Sequence, residues 1–234
     1  IMAKKNNEPE IFEELDLDVD VQLQKTEDFV QKNKNILAGI VGLIAILVLG
    51  GYFLKVQKEE AEVEAQLSVF PAQYYFGLDS LDLVLNGDGN QVIGVEEIAE
   101  TYSGTKAGNL ANFYAGVAHM KQGDFETAIE YLEAFSSSDL LVQSRAYSLT
   151  GDAYMELNDL EQAKANYQKA CSNNPTKQYT PRYLLKLALA YEKSGELPEA
   201  INTYDKLITD YYSSEESTKA RKYKAFLQAK VDSE

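Results

Sequence analysis

The hydropathy pattern is dominated by one uninterrupted apolar run near the start of the chain. Residues 35–54 include no charged side chain, and lysines such as Lys34 and Lys55 border the run on both sides. A helix of about 20 residues spans about 30 Å, the thickness of the hydrocarbon core of a bilayer. The pattern predicts one transmembrane helix that begins near Thr26, a suitable N-cap, and forms an anchor over residues 26–55.

Two other structures share such a run: a buried helix of a soluble protein and a cleaved signal peptide. A buried helix rarely continues so long without a polar residue. A signal peptide has a shorter apolar region followed by a small-residue cleavage site, and no such site follows this run. We therefore expect a permanent, single-pass anchor.

The lysines near the run predict its orientation. Lys25, Lys32 and Lys34 precede it, whereas Lys55 and Lys58 follow it. Basic residues favour the cytoplasmic side, so this small excess predicts a cytoplasmic N-terminus. The rest of the chain is then expected in the periplasm, with the anchor in a bacterial inner membrane.

The N-terminal tail, residues 1–25, is acidic, and its apolar residues alternate with polar ones between Leu15 and Leu23. Alternation with period two is typical of a strand, but a single strand has no partner within this chain. We expect a disordered tail. The alternative is a short segment that adds to a sheet edge or groove of a cytoplasmic partner.

Residues 56–108 predict a helical stalk, or a degenerate first repeat. Pro71 is expected to kink or divide a helix that runs from Val56 to Leu85. The glycine- and asparagine-rich residues 86–90 form a loop, and a short helix follows from Val95 to Tyr102.

Self-similarity begins at residue 109. Small residues recur at intervals of 35 and 37 residues in two series, and a large residue follows each member of the second series by four positions. The first series is Gly116, Gly151 and Ala188, the second is Ala128, Ala163 and Ala200, and the large residues are Leu132, Tyr167 and Tyr204. Polar turns separate the two series in each unit.

These spacings resemble the tetratricopeptide repeat (TPR), a unit of two antiparallel helices. The resemblance implies an all-α fold: one N-terminal transmembrane helix followed by a solenoid over residues 109–234, with three repeats and a capping helix. Small residues let the paired helices approach closely, and large residues fill the seam to the next pair.

The resemblance also implies a protein-binding groove lined by the first helix of each repeat. This groove is expected to bind an apolar or amphipathic helix. The alternative for each position is packing against neighbouring helices. The matching positions are Leu110, Phe113, Val117 and Met120 in repeat one, Arg145, Ser148, Asp152 and Met155 in repeat two, and Arg182, Leu185, Leu189 and Glu192 in repeat three.

Composition removes most catalytic classes. The 234 residues include one histidine, His119, and one cysteine, Cys171, so one chain cannot hold a multi-histidine metal centre, an intramolecular disulfide or a multi-cysteine zinc site. The net charge of −15 disfavours nucleic acid. We expect no enzyme activity, no cofactor, no metal and no small-molecule substrate, with His119 and Cys171 packed between helices.

The acidity is concentrated in one region. Residues 56–104 contain ten acidic and one basic side chain, and this excess predicts a solvated face that repels anionic headgroups. Residues 86–97 partly match the calcium loop of an EF-hand, but Gln91 replaces the required glycine. We expect an ordinary loop there.

The layout of tail, anchor and repeats resembles the ancillary TPR subunits of the bacterial SecYEG translocon, the YfgM-like type. The resemblance implies a scaffold whose partners are the bilayer and other proteins: Sec translocon subunits, chaperones or translocating clients. Two alternatives remain, namely a scaffold for envelope assembly or division, and a receptor whose repeats face the cytoplasm.

Overall fold

The computed structural model describes residues 10–231, with side chains from residue 29 onward, and all regular elements in this range are α-helices. Gly87 and Ile93 form an isolated antiparallel bridge. The helices are α1 (Glu10–Gly77), α2 (Leu81–Asn86), α3 (Val95–Thr101), α4 (Lys106–Gln122), α5 (Phe125–Ala134), α6 (Leu140–Glu156), α7 (Leu160–Asn173), α8 (Thr180–Ser194), α9 (Leu197–Asp210) and α10 (Glu215–Val231).

The chain divides into two compact units, Ile1–Lys58 and Glu59–Glu234. Helix α1 carries the apolar run, and its part Phe29–Gly77 is long and apolar enough to cross a membrane. None of the residues in its most apolar window is buried. A core helix of a soluble protein shows the opposite, because its apolar residues pack against other elements.

The tail differs from the expectation. Helix α1 begins at Glu10 rather than near Thr26, so residues 10–25 are helical and form neither a disordered segment nor a strand. Extending an existing helix by one residue avoids the cost of nucleation, and glutamate, leucine and glutamine all favour it. The expectation for residues 1–9 lies outside the described residues.

Pro71 also behaves differently from the expectation, because α1 continues through it to Gly77 without division. Proline removes one backbone hydrogen bond from a helix interior. Its neighbours Val69 and Ala72 are buried in the core that the end of α1 forms with α2, α3 and α4. This packing holds the helix together on both sides of the proline.

In the second unit, α4–α5, α6–α7 and α8–α9 form three helix pairs, and α10 packs on the last of them. The small residues lie where paired helices approach. A Cβ atom on Gly116 would lie 2.6 Å from Leu132 Cγ, and one on Gly151 would lie 2.7 Å from Tyr167 Cε1. Repeats one and two therefore each pair one small residue with one large side chain of the second helix.

The turns inside the pairs follow from their polar residues. Gly123 and Gly195 end α4 and α8 with φ of 83° and 82°, a left-handed conformation that glycine adopts without a Cβ clash. Asp124 and Asp159 then cap the next helices by accepting hydrogen bonds from the backbone N–H of Thr127 and Gln162.

Candidate protein-binding groove

The main candidate site is a groove between α6 and α8, the first helices of repeats two and three. Its volume is about 270 Å³. Its walls combine apolar, aromatic and basic side chains, and Leu141 and Tyr179 at its edge are exposed. The lining residues are Leu141, Val142, Arg145, Ser148, Leu149, Tyr179, Arg182, Tyr183 and Lys186.

The inner end of the groove is held by a hydrogen-bonded network. Lys186 Nζ lies 2.6 Å from Asp152 Oδ2 and 3.1 Å from Ser148 Oγ. The other oxygen of Asp152 accepts a hydrogen bond of 2.7 Å from the hydroxyl of Tyr167, which is buried in the core. Burial, and secondly the Asp152 charge, raise the pKa of Tyr167. Lys186 therefore presents a charge that is largely neutralised by a fixed carboxylate.

The two arginines of the groove are different. In the described part of the chain, Arg145 has no carboxylate within ion-pairing distance, and Arg182 reaches Glu216 only at 3.9 Å while 65% of its side chain stays exposed. Burial raises the pKa of the Tyr183 phenol, and the charges of both arginines oppose that rise. Both guanidinium groups thus act on the same ring hydroxyl, and both remain available to an external anion.

The structure places three of the twelve predicted groove residues in this groove: Arg145, Ser148 and Arg182. Asp152 acts behind them through Lys186. The others lie elsewhere, and for several of them the structure gives a packing partner.

The first-repeat residues face the core or neighbouring rings. Val117 is buried, and Leu110 packs against the cluster that α1–α4 share. The Phe113 ring lies 5.1 Å from that of Phe135. Met120 is half-buried.

The remaining predicted positions show similar packing. Met155 packs against the cluster of Tyr167, and Leu185 packs against the core of repeat three. Glu192 accepts a hydrogen bond of 3.2 Å from Tyr204. Leu189 is half-buried.

Six lining residues were missed by the sequence pattern. Leu141 and Leu149 flank Arg145 by four residues on either side along α6, and Lys186 follows Arg182 by four along α8. Side chains four positions apart share one helix face, so extending the two arginine rows would have identified these three. Tyr179 lies in the longer connection between repeats two and three, where the family spacing gives no equivalent position.

The histidine and the cysteine lie in packed surroundings. His119 is buried and stacks on Tyr131, with its Nε2 2.7 Å from Glu96 Oε1 and its Nδ1 3.3 Å from Asp124 Oδ2. Burial raises the pKa of the Cys171 thiol to about 12, so the nucleophilic thiolate is scarce at neutral pH.

The loop after α2 is closed by one carboxylate. Asp88 Oδ1 accepts hydrogen bonds of 2.9–3.0 Å from the backbone N–H groups of Asn90, Gln91 and Val92. These bonds hold the pKa of Asp88 below its usual value. Among the described residues, no group of three or more His, Cys, Asp or Glu side chains is arranged to hold a metal ion.

Stacked helix pairs with a groove along their first helices define a helical-repeat protein. Residues 113–177 and 148–215 each match the tetratricopeptide repeat family model, so this segment of the chain is similar to tetratricopeptide repeats. That fold is typically a non-enzymatic scaffold for protein–protein interaction.

One solved structure shares the fold at 21% identity. The crystal structure of MamA protein matches 72% of this chain and 86% of its own, with a TM-score of 0.50 and 21% identity. A kinesin light chain structure from Podosopora anserina, described as having nearly identical TPR-like repeats, matches 75% of this chain and 94% of its own, with a TM-score of 0.49 and 14% identity. No curated protein sequence matched this one.

Proposed function

We propose that this protein is a membrane-anchored, non-enzymatic scaffold that binds partner proteins in the groove between α6 and α8. The observation that carries this proposal is the pair of accessible guanidinium groups, Arg145 and Arg182, beside apolar and aromatic side chains. Arginine binds carboxylates through two parallel hydrogen bonds, so it favours an acidic partner group.

The groove chemistry narrows the expected ligand. Leu141, Val142 and Leu149 offer apolar contacts, while the arginines offer positive charge. An amphipathic segment with both leucine-like and carboxylate side chains satisfies both features. A purely apolar helix would leave the two arginines desolvated without a partner, which is costly.

Within this proposal the twelve predicted positions have different roles. Arg145 and Arg182 contact the partner, while Ser148, which is buried, and Asp152 position Lys186 beside them. The first-repeat residues support the fold instead, because their side chains already pack inside it.

The anchor and the location form a further part of the proposal. The apolar run supports a single-pass anchor over residues 26–55, with the tail in the cytoplasm and the repeats in the periplasm of a bacterial inner membrane. The layout supports an ancillary subunit of the Sec machinery that contacts emerging clients or periplasmic chaperones. Neither nucleic acid nor a small-molecule substrate is expected as a partner, and no cofactor is required.

A photo-crosslinking amino acid at Leu141, on the groove edge, tests the binding site in native membranes. We expect crosslinks to Sec subunits, periplasmic chaperones or exported clients, which mass spectrometry would identify. Crosslinks should weaken when Arg145→Glu and Arg182→Glu are combined. The matched control is Arg221→Glu on α10, which lies outside the groove.

The outcomes separate the candidate functions. Recovery of envelope assembly or division proteins without any Sec component would contradict the Sec assignment and retain the groove. Equal crosslinking by the double variant and the control would contradict the groove itself.

Cysteine accessibility tests the orientation. In a Cys171→Ser background, a cysteine at the exposed position Ser213 should react with a membrane-impermeant maleimide added to the periplasmic side. Labelling only after the inner membrane is opened would favour the receptor with cytoplasmic repeats.

A further inference from the structure

Helix α1 has a second face that the groove does not explain. Within the second unit its buried side carries Ala65, Val69 and Ala72, which pack into the core with α2, α3 and α4. Glu62 lies on this side as well, and its carboxylate accepts a 2.5 Å hydrogen bond from the backbone N–H of Lys106. This side of the helix is fully used by the fold.

The opposite side carries a row of large apolar residues that the fold leaves uncovered. Val63, Leu67, Phe70 and Tyr74 are 60%, 72%, 72% and 63% exposed. Their spacing of four, three and four residues places them within about 60° of one another around a helix. We call these four residues the apolar stripe. Spacing of this kind is that of the contact positions in packed helix pairs.

Acidic side chains border the N-terminal end of the apolar stripe, beside Val63, whereas uncharged residues (Gln66, Pro71 and Gln73) flank the rest of it. Glu60 and Glu64 lie on one side of it by helical position, and Glu59 lies on the other. The wider segment, residues 56–104, contains ten acidic side chains and one basic one. An apolar row between acidic borders is complementary to a helix whose apolar row has basic borders.

The same acidic residues disfavour two other occupants of the apolar stripe, a second copy of the chain and an anionic lipid surface. A second copy of the chain, packed in parallel along the apolar stripe, would bring Glu59 of each copy close to Glu64 of the other, which is repulsive. An anionic lipid surface would repel these carboxylates as well.

We propose that the apolar stripe is a docking surface for an amphipathic helix of another protein, one whose apolar face is flanked by lysine or arginine. This surface is separate from the groove between α6 and α8. It would let the protein hold one partner by α1 while a different segment occupies the repeats.

The test uses the full chain in nanodiscs of neutral phosphatidylcholine and two labelled designed peptides. Both peptides carry leucines at heptad spacing; one is bordered by lysines and the other by glutamates. Fluorescence anisotropy should show the lysine-bordered peptide binding at least about tenfold more tightly, since both apolar contact and charge favour it. Equal affinity for both peptides, or binding of neither, would overturn the proposal.

Variants locate the binding on the apolar stripe. Leu67→Ala with Phe70→Ala should weaken the lysine-bordered peptide by about tenfold or more, because both side chains are solvent-exposed anchors. Glu60→Lys with Glu64→Lys should reverse the preference between the peptides. The control is Glu126→Lys with Glu130→Lys, an exposed pair of the same spacing on α5, which should change nothing. Circular dichroism would verify that each variant is folded.

Two further measurements address the other occupants. The chain has no tryptophan, so Phe70→Trp gives a single probe, and its quenching by brominated lipid would assign the apolar stripe to the bilayer and overturn the proposal. Dimers that form with rising concentration and that Phe70→Ala abolishes would assign the apolar stripe to a second copy of the chain. This outcome would also overturn the proposal. Arg145→Glu with Arg182→Glu should leave peptide binding intact, so failure here is distinguishable from failure of the groove.

Discussion

The first helices of repeats one and two, α4 and α6, share their pattern of small residues but use their inward faces differently. On α4 the aligned positions are occupied by Phe113 and Val117, which pack against Phe135 or lie buried. On α6 the corresponding positions are Ser148, which lines an open groove with α8, and Asp152, which binds Lys186 of that groove. The shared pattern sets how helices pair, while the residues between the small ones decide whether a face closes or stays open.

The difference has a structural cause in what precedes each repeat. The end of α1 and helices α2 and α3 pack on α4, and the Phe76 ring lies 5.2 Å from that of Tyr114. Helix α6 instead meets α8 across the groove, where a connection longer by two residues than that between repeats one and two brings Tyr179 to the edge. A repeat next to an extra packed segment thus loses its free face.

The largest effect is expected from a substitution that removes a contact both repeats share, the one between a small residue and a large side chain of the paired helix. Tyr167→Ala should lower the free energy of unfolding by about 3–5 kcal/mol, because it empties a buried site beside Gly151. Urea denaturation followed by circular dichroism measures this loss. Tyr167→Phe, which removes only the hydroxyl bonded to Asp152, should cost about 1 kcal/mol. A loss as large as that of the alanine variant would show that the hydrogen bond, rather than packing, dominates.

Phe113→Ala tests whether the face of repeat one is structural. The side chain is half-buried against Phe135, so its removal should cost about 2 kcal/mol of stability. The thermal midpoint should fall, whereas crosslinking from Leu141 should stay unchanged at a temperature where the variant is folded. Lost crosslinking with an unchanged midpoint would place Phe113 in the binding site instead.

Gly151→Ala and Gly116→Ala sharpen the comparison of helix pairing. A Cβ atom at either position lies under 3.0 Å from a side chain of the paired helix. At Gly151 the obstacle is the rigid ring of Tyr167, and at Gly116 it is the flexible Leu132. Overpacking at Gly151 should therefore cost about 1–3 kcal/mol, with the smaller loss at Gly116. A reversed order in urea titrations would contradict this account of the seam.

Arg145→Ala is the counterpart of Phe113→Ala on the open face of α6. It should change the free energy of unfolding by less than about 0.5 kcal/mol, because Arg145 is exposed and forms no ion pair with the described residues. Its effect is expected on partner crosslinking. A drop in the unfolding midpoint comparable to that of Phe113→Ala would show that the arginine serves the fold.

The smallest expected effect is on the pH dependence of stability, through the contact between Lys164 of repeat two and Glu196 of repeat three. Hydrogen bonds from Lys164, and secondly from Ser194, hold the pKa of Glu196 below its usual 4.5. A carboxyl group with a lowered pKa in the folded state adds stability above the unfolded pKa, and this contribution is lost as pH falls through the folded value. Stability should decline slightly more steeply below pH 4.5 in the parent chain than in Glu196→Gln. Identical slopes in acid titrations would exclude this contribution.

Sequence patterns predicted the repeated elements well and the remaining ones less so. Close packing at Gly116 and Gly151 admits few residue types, so the positions of the pairs could be located from spacing alone. Residues 10–25 are helical because they extend an adjoining helix, and α1 continues through Pro71 because its neighbours are packed. The local sequence pattern contains no information on either cause. The groove was only partly predictable, because a family position specifies a place on a helix and not the side chains that cover it.

The double role of Asp152 limits how this protein can change. One oxygen of its carboxylate binds a core tyrosine and the other fixes a lysine of the groove, whereas Arg145 and Arg182 have no comparable duty inside the fold. Mutation can therefore retune partner preference through the arginines at little cost to folding, but a substitution at Asp152 disturbs core and groove together. We expect natural or engineered changes of partner specificity to arise first at the two arginines.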